Sequence, residues 1–311
     1  MFAERLLSRQ TSWPLAKTKQ AEKQGQRFPT AAEPSGQVVV SARWLLSAFG
    51  VVVVLAALCA YGTLGLLFYQ GQWQLMLHPS KQITATPHEN FEPIQFDYSE
   101  EGLARLSGWW IPADHGGRWS GGTVLYLHGS AGSLSNYVGE LDALHALGVN
   151  VFAFDYRGYG KSVGLHPDEK RMQTDADAAW NYLTSTRHAS ATSIVIYGTG
   201  VGASLAAELA ARHAAAGVVL DEPTPPARQV IGSDARAKIL PMWLLLTQKF
   251  DPASALKTLS TPKLFLDRDG GRARTAELYQ DAALPKHYAV LKQDSGYAQA
   301  MTQFLTGVLQ K

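Results

Sequence analysis

At 311 residues, with 46% hydrophobic and 17% charged side chains, the chain has a globular composition enriched by something apolar, and its net charge of +2 is too small to point to nucleic acid. A single cysteine, Cys59, excludes a disulfide framework or a cysteine-built zinc site within one chain. It reads as a small apolar residue.

In chain order, residues 1–43 scatter Gln, Lys, Thr, Ser and Pro without period and read as a basic, unstructured segment. From Trp44 to Phe68 no residue is charged, a run longer than the roughly 20 residues that cross a bilayer as a helix and longer than the apolar core of a cleaved signal peptide. Residues 44–69 are therefore expected to form a membrane span. Arg5, Arg9, Lys17, Lys19, Lys23, Arg27 and Arg43 precede it, against Glu4, Glu22 and Glu33, and Lys81 is the first basic residue after it. The positive flank belongs to the cytoplasm, so the rest of the chain is expected outside, in the periplasm if the cell is a Gram-negative bacterium. Residues 70–90 read as a juxtamembrane linker, with Trp73 and Leu75–Leu77 as a collar on the membrane surface.

From residue 91 to 311 strands alternate with helices. Strands are expected at "PIQFDYS", "ARLSGWWIP", "GTVLYLHG", "NVFAFDYRG", "SIVIYG", "GVVLDEP", "KLFLDRD" and "KHYAVLK", with helices at "SNYVGELDALHALG", "DEKRMQTDADAAWNYLTS", "VGASLAAELA", "ARTAELYQDAAL" and "YAQAMTQFLTGVLQ". Such alternation implies an α/β fold, a mostly parallel sheet flanked by helices.

The stretch "SIVIYGTGVGASLAAELA" fits two devices. One is the nucleophile elbow G-x-S-x-G on a strand-to-helix turn, here with Gly200 at its apex in place of serine. The other is a dinucleotide-binding turn, with Gly198, Gly200 and Ala203 as its small residues and Asp221 as the ribose partner. Position favours the elbow, because a dinucleotide turn follows the first strand of its domain and several strands precede this one.

Three further motifs occur in matching order: "LHGSAG" (127–132), "FDYRGYGKS" (154–162) and "KFDPASALKTLSTPKLFL" (249–266). With the elbow, they make the domain resemble the α/β-hydrolase family, in its membrane-anchored, serine-aminopeptidase-like branch. That resemblance implies a triad of serine, acid and histidine, with oxyanion amides after the third strand. Gly200 stands at the nucleophile position, Tyr297 at the histidine position, and Asp267 and Asp269 are the acid candidates. No histidine follows His287, which begins the last strand.

Thr199 precedes the apex, Ser204 lies a turn along the helix and Ser130 lies in the oxyanion turn; without a base each is an ordinary alcohol. His128 is expected to bond within its own turn, and Asp155 and Arg157 to brace the fourth. What remains is a backbone site at Ser130, Ala131 and Val201, suited to an anionic group at a helix N-terminus. The expectation is a membrane-tethered, non-catalytic hydrolase-like domain with a lipid, peptide or protein partner and neither cofactor nor metal. Two alternatives stand beside it: a hydrolase with relocated catalytic residues, and a dinucleotide-binding protein.

Overall fold

The computed structural model describes residues 40–268, 273–292 and 296–309. Most of the segment expected to be unstructured therefore lies outside the described residues, as does Asp269. The described chain up to Leu55 is the first half of helix α1 (Ala42–Gly71). Its apolar side chains are exposed, Val52 at 61% and Leu55 at 55% among them. Such exposure suits a lipid surround and costs free energy in water, about 25 cal/mol per Å² of apolar area.

Residues 56–311 form a second compact unit around an eight-stranded sheet. Its strands are β1 (Glu92–Tyr98), β2 (Ala104–Ile111), β3 (Trp119–Leu127), β4 (Val149–Asp155), β5 (Ile194–Thr199), β6 (Gly217–Asp221), β7 (Lys263–Arg268) and β8 (Lys286–Leu291). The spatial order is β1-β2-β4-β3-β5-β6-β7-β8. β2 runs antiparallel to both β1 and β4, and the remaining pairs are parallel. β-Branched and aromatic residues fill β3 to β7 because both faces of these strands are covered.

Two apolar layers result. On one face α4 (Val201–Arg212), α3 (Glu169–Asn181) and their neighbours bury Ile194, Ile196, Val218, Leu220 and Phe265. On the other, α2 (Val138–His145) and α9 (Tyr297–Leu309) bury Val195, Tyr197, Val219, Leu264 and Leu266. Between β6 and β7 the chain forms a small cap of short helices, α5 (Ala227–Gly232), α6 (Met242–Leu245) and α7 (Ala253–Thr258); α8 (Ala273–Asp281) then joins β7 to β8. The sheet order reverses at β3, so the turns after β3 and β5 open a crevice at the carboxyl ends of the strands, where ligands of open α/β sheets bind.

The stretch after α1 is no membrane collar. Met76 and Leu77 are buried in the core and Trp73 stacks on His166, with ring centroids 4.9 Å apart. His78–Pro79 pairs in parallel with Ala131–Gly132, the amide of His78 donating to the Ser130 carbonyl at 2.8 Å and that of Ser80 to the Gly132 carbonyl at 2.7 Å. Lys81 Nζ donates to the Ser162 carbonyl at 2.6 Å. An apolar triplet next to a span looks the same in sequence whether it faces lipid or a protein core; the sheet decides for the core.

Candidate functional site

The turn from β5 to α4 is built by backbone proximity. A Cβ on Gly198 would lie 2.1 Å from the Gly202 carbonyl oxygen, and one on Gly202 would lie 2.1 Å from the Leu127 carbonyl oxygen. Strand, helix and the neighbouring β3 approach too closely there for any side chain. Gly200 differs: a Cβ would meet only ordinary contacts, Gly129 Cα and Thr224 Cγ2, each at 3.7 Å. Its backbone, φ 59° and ψ −119°, is the strained apex of an elbow. The amide of Gly200 donates to the Asp221 carbonyl at 3.0 Å, and its carbonyl accepts from the Ala203 amide at 3.2 Å and from the Thr224 amide at 3.3 Å. Val201 opens α4, so its amide lacks an intrahelical acceptor.

Facing the elbow is the turn after β3. The Ser130 carbonyl accepts from the Tyr159 hydroxyl at 2.9 Å as well as from His78, and the Ala131 carbonyl accepts from the Tyr137 hydroxyl at 3.0 Å. Asp155 Oδ1 accepts from the Leu134 amide at 2.8 Å. Burial raises the Asp155 carboxyl to about 6, partly offset by that bond. His128 is fully buried among Tyr137, Tyr156 and Tyr159. Its Nδ1 lies 2.8 Å from the Gly129 carbonyl, so in the neutral ring Nδ1 carries the proton and donates within the turn. Burial lowers its pKa to about 4. Arg157 Nε donates to Asp175 Oδ1 at 2.6 Å, fixing the fourth turn. These residues hold loops.

The expected triad positions are not brought together. Tyr297 begins α9 on the face packed by α2 and α9. Burial pushes its hydroxyl pKa well above 10. It lines a cavity of about 340 Å³ with Gly139, Glu140, Ala143 and Arg268. Asp267 is buried on the opposite face, accepting a hydrogen bond from the Tyr288 hydroxyl at 2.7 Å. Asp267 shares the face of Phe265 and Tyr297 packs in the other apolar layer, so the two expected positions belong to different layers. Ser204 is buried and donates to the Phe250 carbonyl at 2.9 Å.

One oxygen of Asp221 is likewise engaged, while its Oδ1 has no hydrogen-bond partner among the described residues. The residue is buried and accepts from the Tyr197 hydroxyl at 2.7 Å, with Arg268 Nη2 at 3.6 Å. Of the small residues in the dinucleotide pattern, Gly198 is already required by its packing against the Gly202 carbonyl.

Two residues at the site carried no signal of their own in the sequence. Thr224, in the loop after β6, sets its methyl against the open space at Gly200, and its hydroxyl oxygen is buried without a hydrogen-bond partner among the described residues. Tyr137 lays its hydroxyl against Gly129, where a Cβ would come within 2.7 Å of it. Thr224 could have been suspected from "DEPTPP", a proline-rich exit from a strand at the sheet's reversal point.

Comparison with known proteins places this geometry. The model of the serine aminopeptidase S33 family matches residues 120–277. An uncharacterized protein of Mycobacterium tuberculosis is 31% identical over 247 residues, which are 77% of this chain and 85% of that protein. The human alpha/beta hydrolase domain-containing protein 17C is 36% identical over 118 residues, 37% of this chain and 35% of that one. Among solved structures, the Pyrococcus furiosus esterase Pf2001 superposes with a TM-score of 0.58 at 20% identity, covering 75% of this chain and 97% of the esterase. An alpha-beta hydrolase from Vibrio vulnificus gives 0.51 at 25% identity, covering 70% and 78%. With the strand order, the elbow and the family match all in agreement, the chain belongs to the α/β-hydrolase family, as a member with a serine aminopeptidase S33 domain.

Proposed function

We propose that this chain is a membrane-tethered α/β-hydrolase-fold protein that binds a lipid or peptide carbonyl or carboxylate at its elbow without cleaving it. The observation carrying this reading is the apex: Gly200 keeps the elbow's dihedrals and the space for a side chain, yet supplies no nucleophile. The Val201 amide at the start of α4 and the turn at Ser130 and Ala131 give a site favourable to a carbonyl oxygen or an anion. The unpartnered Thr224 hydroxyl adds a hydrogen-bonding group beside it. Membrane tethering rests on the exposed apolar helix, whose mean hydropathy of 2.4 suits a bilayer.

A relocated nucleophile finds little support. Thr224 and Ser130 stand near the apex, but the nearby His128 is buried, its Nδ1 turned to Gly129 and its pKa lowered to about 4. A fluorophosphonate probe tests the reading on the full-length protein in detergent. No labelling is expected; labelling abolished by Ser130→Ala or Thr224→Val would make the protein a hydrolase.

A further inference from the structure

The cap between β6 and β7 carries large apolar side chains with nothing over them among the described residues. Trp243 is 86% exposed, Leu244 64% and Ile239 60%. Leaving apolar side chains of this size in water is unfavourable.

The segment that carries them is fastened to the last turns of α1 and to Gln72, which follows the helix. The Tyr61 hydroxyl donates to the Ile239 carbonyl at 2.9 Å. Gln72 Nε2 donates to the Leu245 carbonyl at 2.9 Å, and Gln72 Oε1 accepts from the Thr247 amide at 3.0 Å. Between these ties, Gly65 lies against Leu240 and Leu245, where a Cβ would meet Leu245 Cδ1 at 3.8 Å. The cap therefore runs beside α1 from Tyr61 to Gln72, about 16 Å at the helical rise. Within that stretch Leu66 and Leu67 are exposed at 55% and 62%.

Helix length then sets a depth. α1 begins at Ala42, so Ala42–Ala60 precedes the first tie. That stretch spans about 28 Å, close to the roughly 30 Å hydrocarbon thickness of a bilayer. Trp44 stands at its start, and Tyr61, at its end, is tied to the cap segment that carries Trp243; aromatic residues favour the two membrane interfaces. Lys238, next to Ile239, suits an anionic headgroup layer.

We infer that the cap tip Ile239–Leu244 is a membrane-seating element: its Trp243 and Leu244 side chains enter the headgroup and upper acyl region of the same bilayer that α1 spans. The inference rests on the membrane reading of α1 and goes beyond it. The bilayer then holds only the first two thirds of the helix, and the last turns act as a post along which the cap lies. The loop leading into the cap touches the elbow at Thr224, whose amide donates to the Gly200 carbonyl at 3.3 Å.

The single natural cysteine makes the test simple. The full-length protein carrying Cys59→Ser is given one cysteine at a time, by Trp243→Cys, Val52→Cys or Glu100→Cys, labelled with an environment-sensitive fluorophore and placed in nanodiscs. The lipids carry a doxyl quencher either high or deep in the acyl chain. Trp243 and Val52 are exposed, so neither change disturbs a core. The label at 243 is expected to be quenched severalfold more than at 100, and more by the shallow quencher than by the deep one. The label at 52 is expected to favour the deep quencher. A label at 243 that behaves like the one at 100, while the one at 52 is quenched, overturns the seating and leaves the span intact. Loss of quenching at both 243 and 52 overturns the span and the seating together.

Discussion

Gly200 and Thr224 face each other across the apex of the elbow, the Thr224 amide donating to the Gly200 carbonyl at 3.3 Å and its methyl 3.7 Å from where a Gly200 Cβ would stand. The gap has room for a side chain. What opposes one is the backbone, whose φ of 59° strains any residue but glycine.

The three glycines of the turn are accordingly expected to respond differently to alanine. Gly200→Ala should fold and lose about 1–3 kcal/mol, the cost of a non-glycine residue in such a backbone. Gly202→Ala and Gly198→Ala drive a methyl into backbone oxygens 2.1 Å away and should leave little folded protein. Denaturant melts of the three variants check the order; equal losses would mean that the close crossing is wrong.

Restoring the lost side chains should not restore an enzyme. Gly200→Ser places a hydroxyl at the apex with no base beside it among the described residues, and adding Tyr297→His places an imidazole in the apolar layer other than that of Asp267. The carboxylate on the same face, Asp221, is held by Tyr197 at 2.7 Å. Hydrolysis of a short p-nitrophenyl ester should stay at background for the wild type, the single and the double variant. Turnover by the double variant would show that an acid reaches position 297 after all.

The region after α1 should matter to stability. A fragment beginning at Phe91 lacks Met76 and Leu77, which are 5% and 1% exposed, and the pairing of His78–Pro79. It should be several kcal/mol less stable than a fragment beginning at Gln72, at about 1.5–3 kcal/mol for each buried side chain. Urea midpoints compare the two, and equal midpoints would return residues 72–90 to the status of a linker.

Acid should expose a balance between Asp155 and His128. In the folded protein the Asp155 carboxyl titrates near 6, above its ordinary value of 3.8, and so takes up a proton and favours folding as pH falls through that range. His128, lowered from 6.5 to about 4, does the reverse. Asp155→Asn removes the first effect and leaves the second. Its stability should fall more steeply than the wild type's between pH 6.5 and 4, by up to one proton in the linkage slope; parallel profiles would refute the assignment.

Orientation is testable by fusion. Alkaline phosphatase at the C-terminus should be active and a Sec-exported green fluorescent protein fusion dark, given the basic residues before Trp44.

Strand and helix order and the elbow were readable in the sequence because backbone geometry dictates residue type there: where a Cβ would meet a carbonyl at 2.1 Å, only glycine fits. The partners of the end-of-strand acids were not. Asp267 and Arg268 differ by one position yet lie on opposite faces, and only pairing with β8 and the contacts of Tyr288 and Tyr297 show which face is which. Nor does sequence separate an apolar residue for lipid from one for the core, as Leu75–Leu77 and Trp243 illustrate in opposite senses.

The parallel clasp of His78–Pro79 on Ala131–Gly132 also has a mechanical meaning. A pull along α1 meets first the ties of Tyr61 and Gln72 to the cap and the buried Phe68, Met76 and Leu77, and only what passes them reaches the Ser130 and Gly132 carbonyls. That remainder is borne in shear by the peptide groups beside the elbow. The cap ties thus shield the turn opposite Gly200 from most of a pull on the helix.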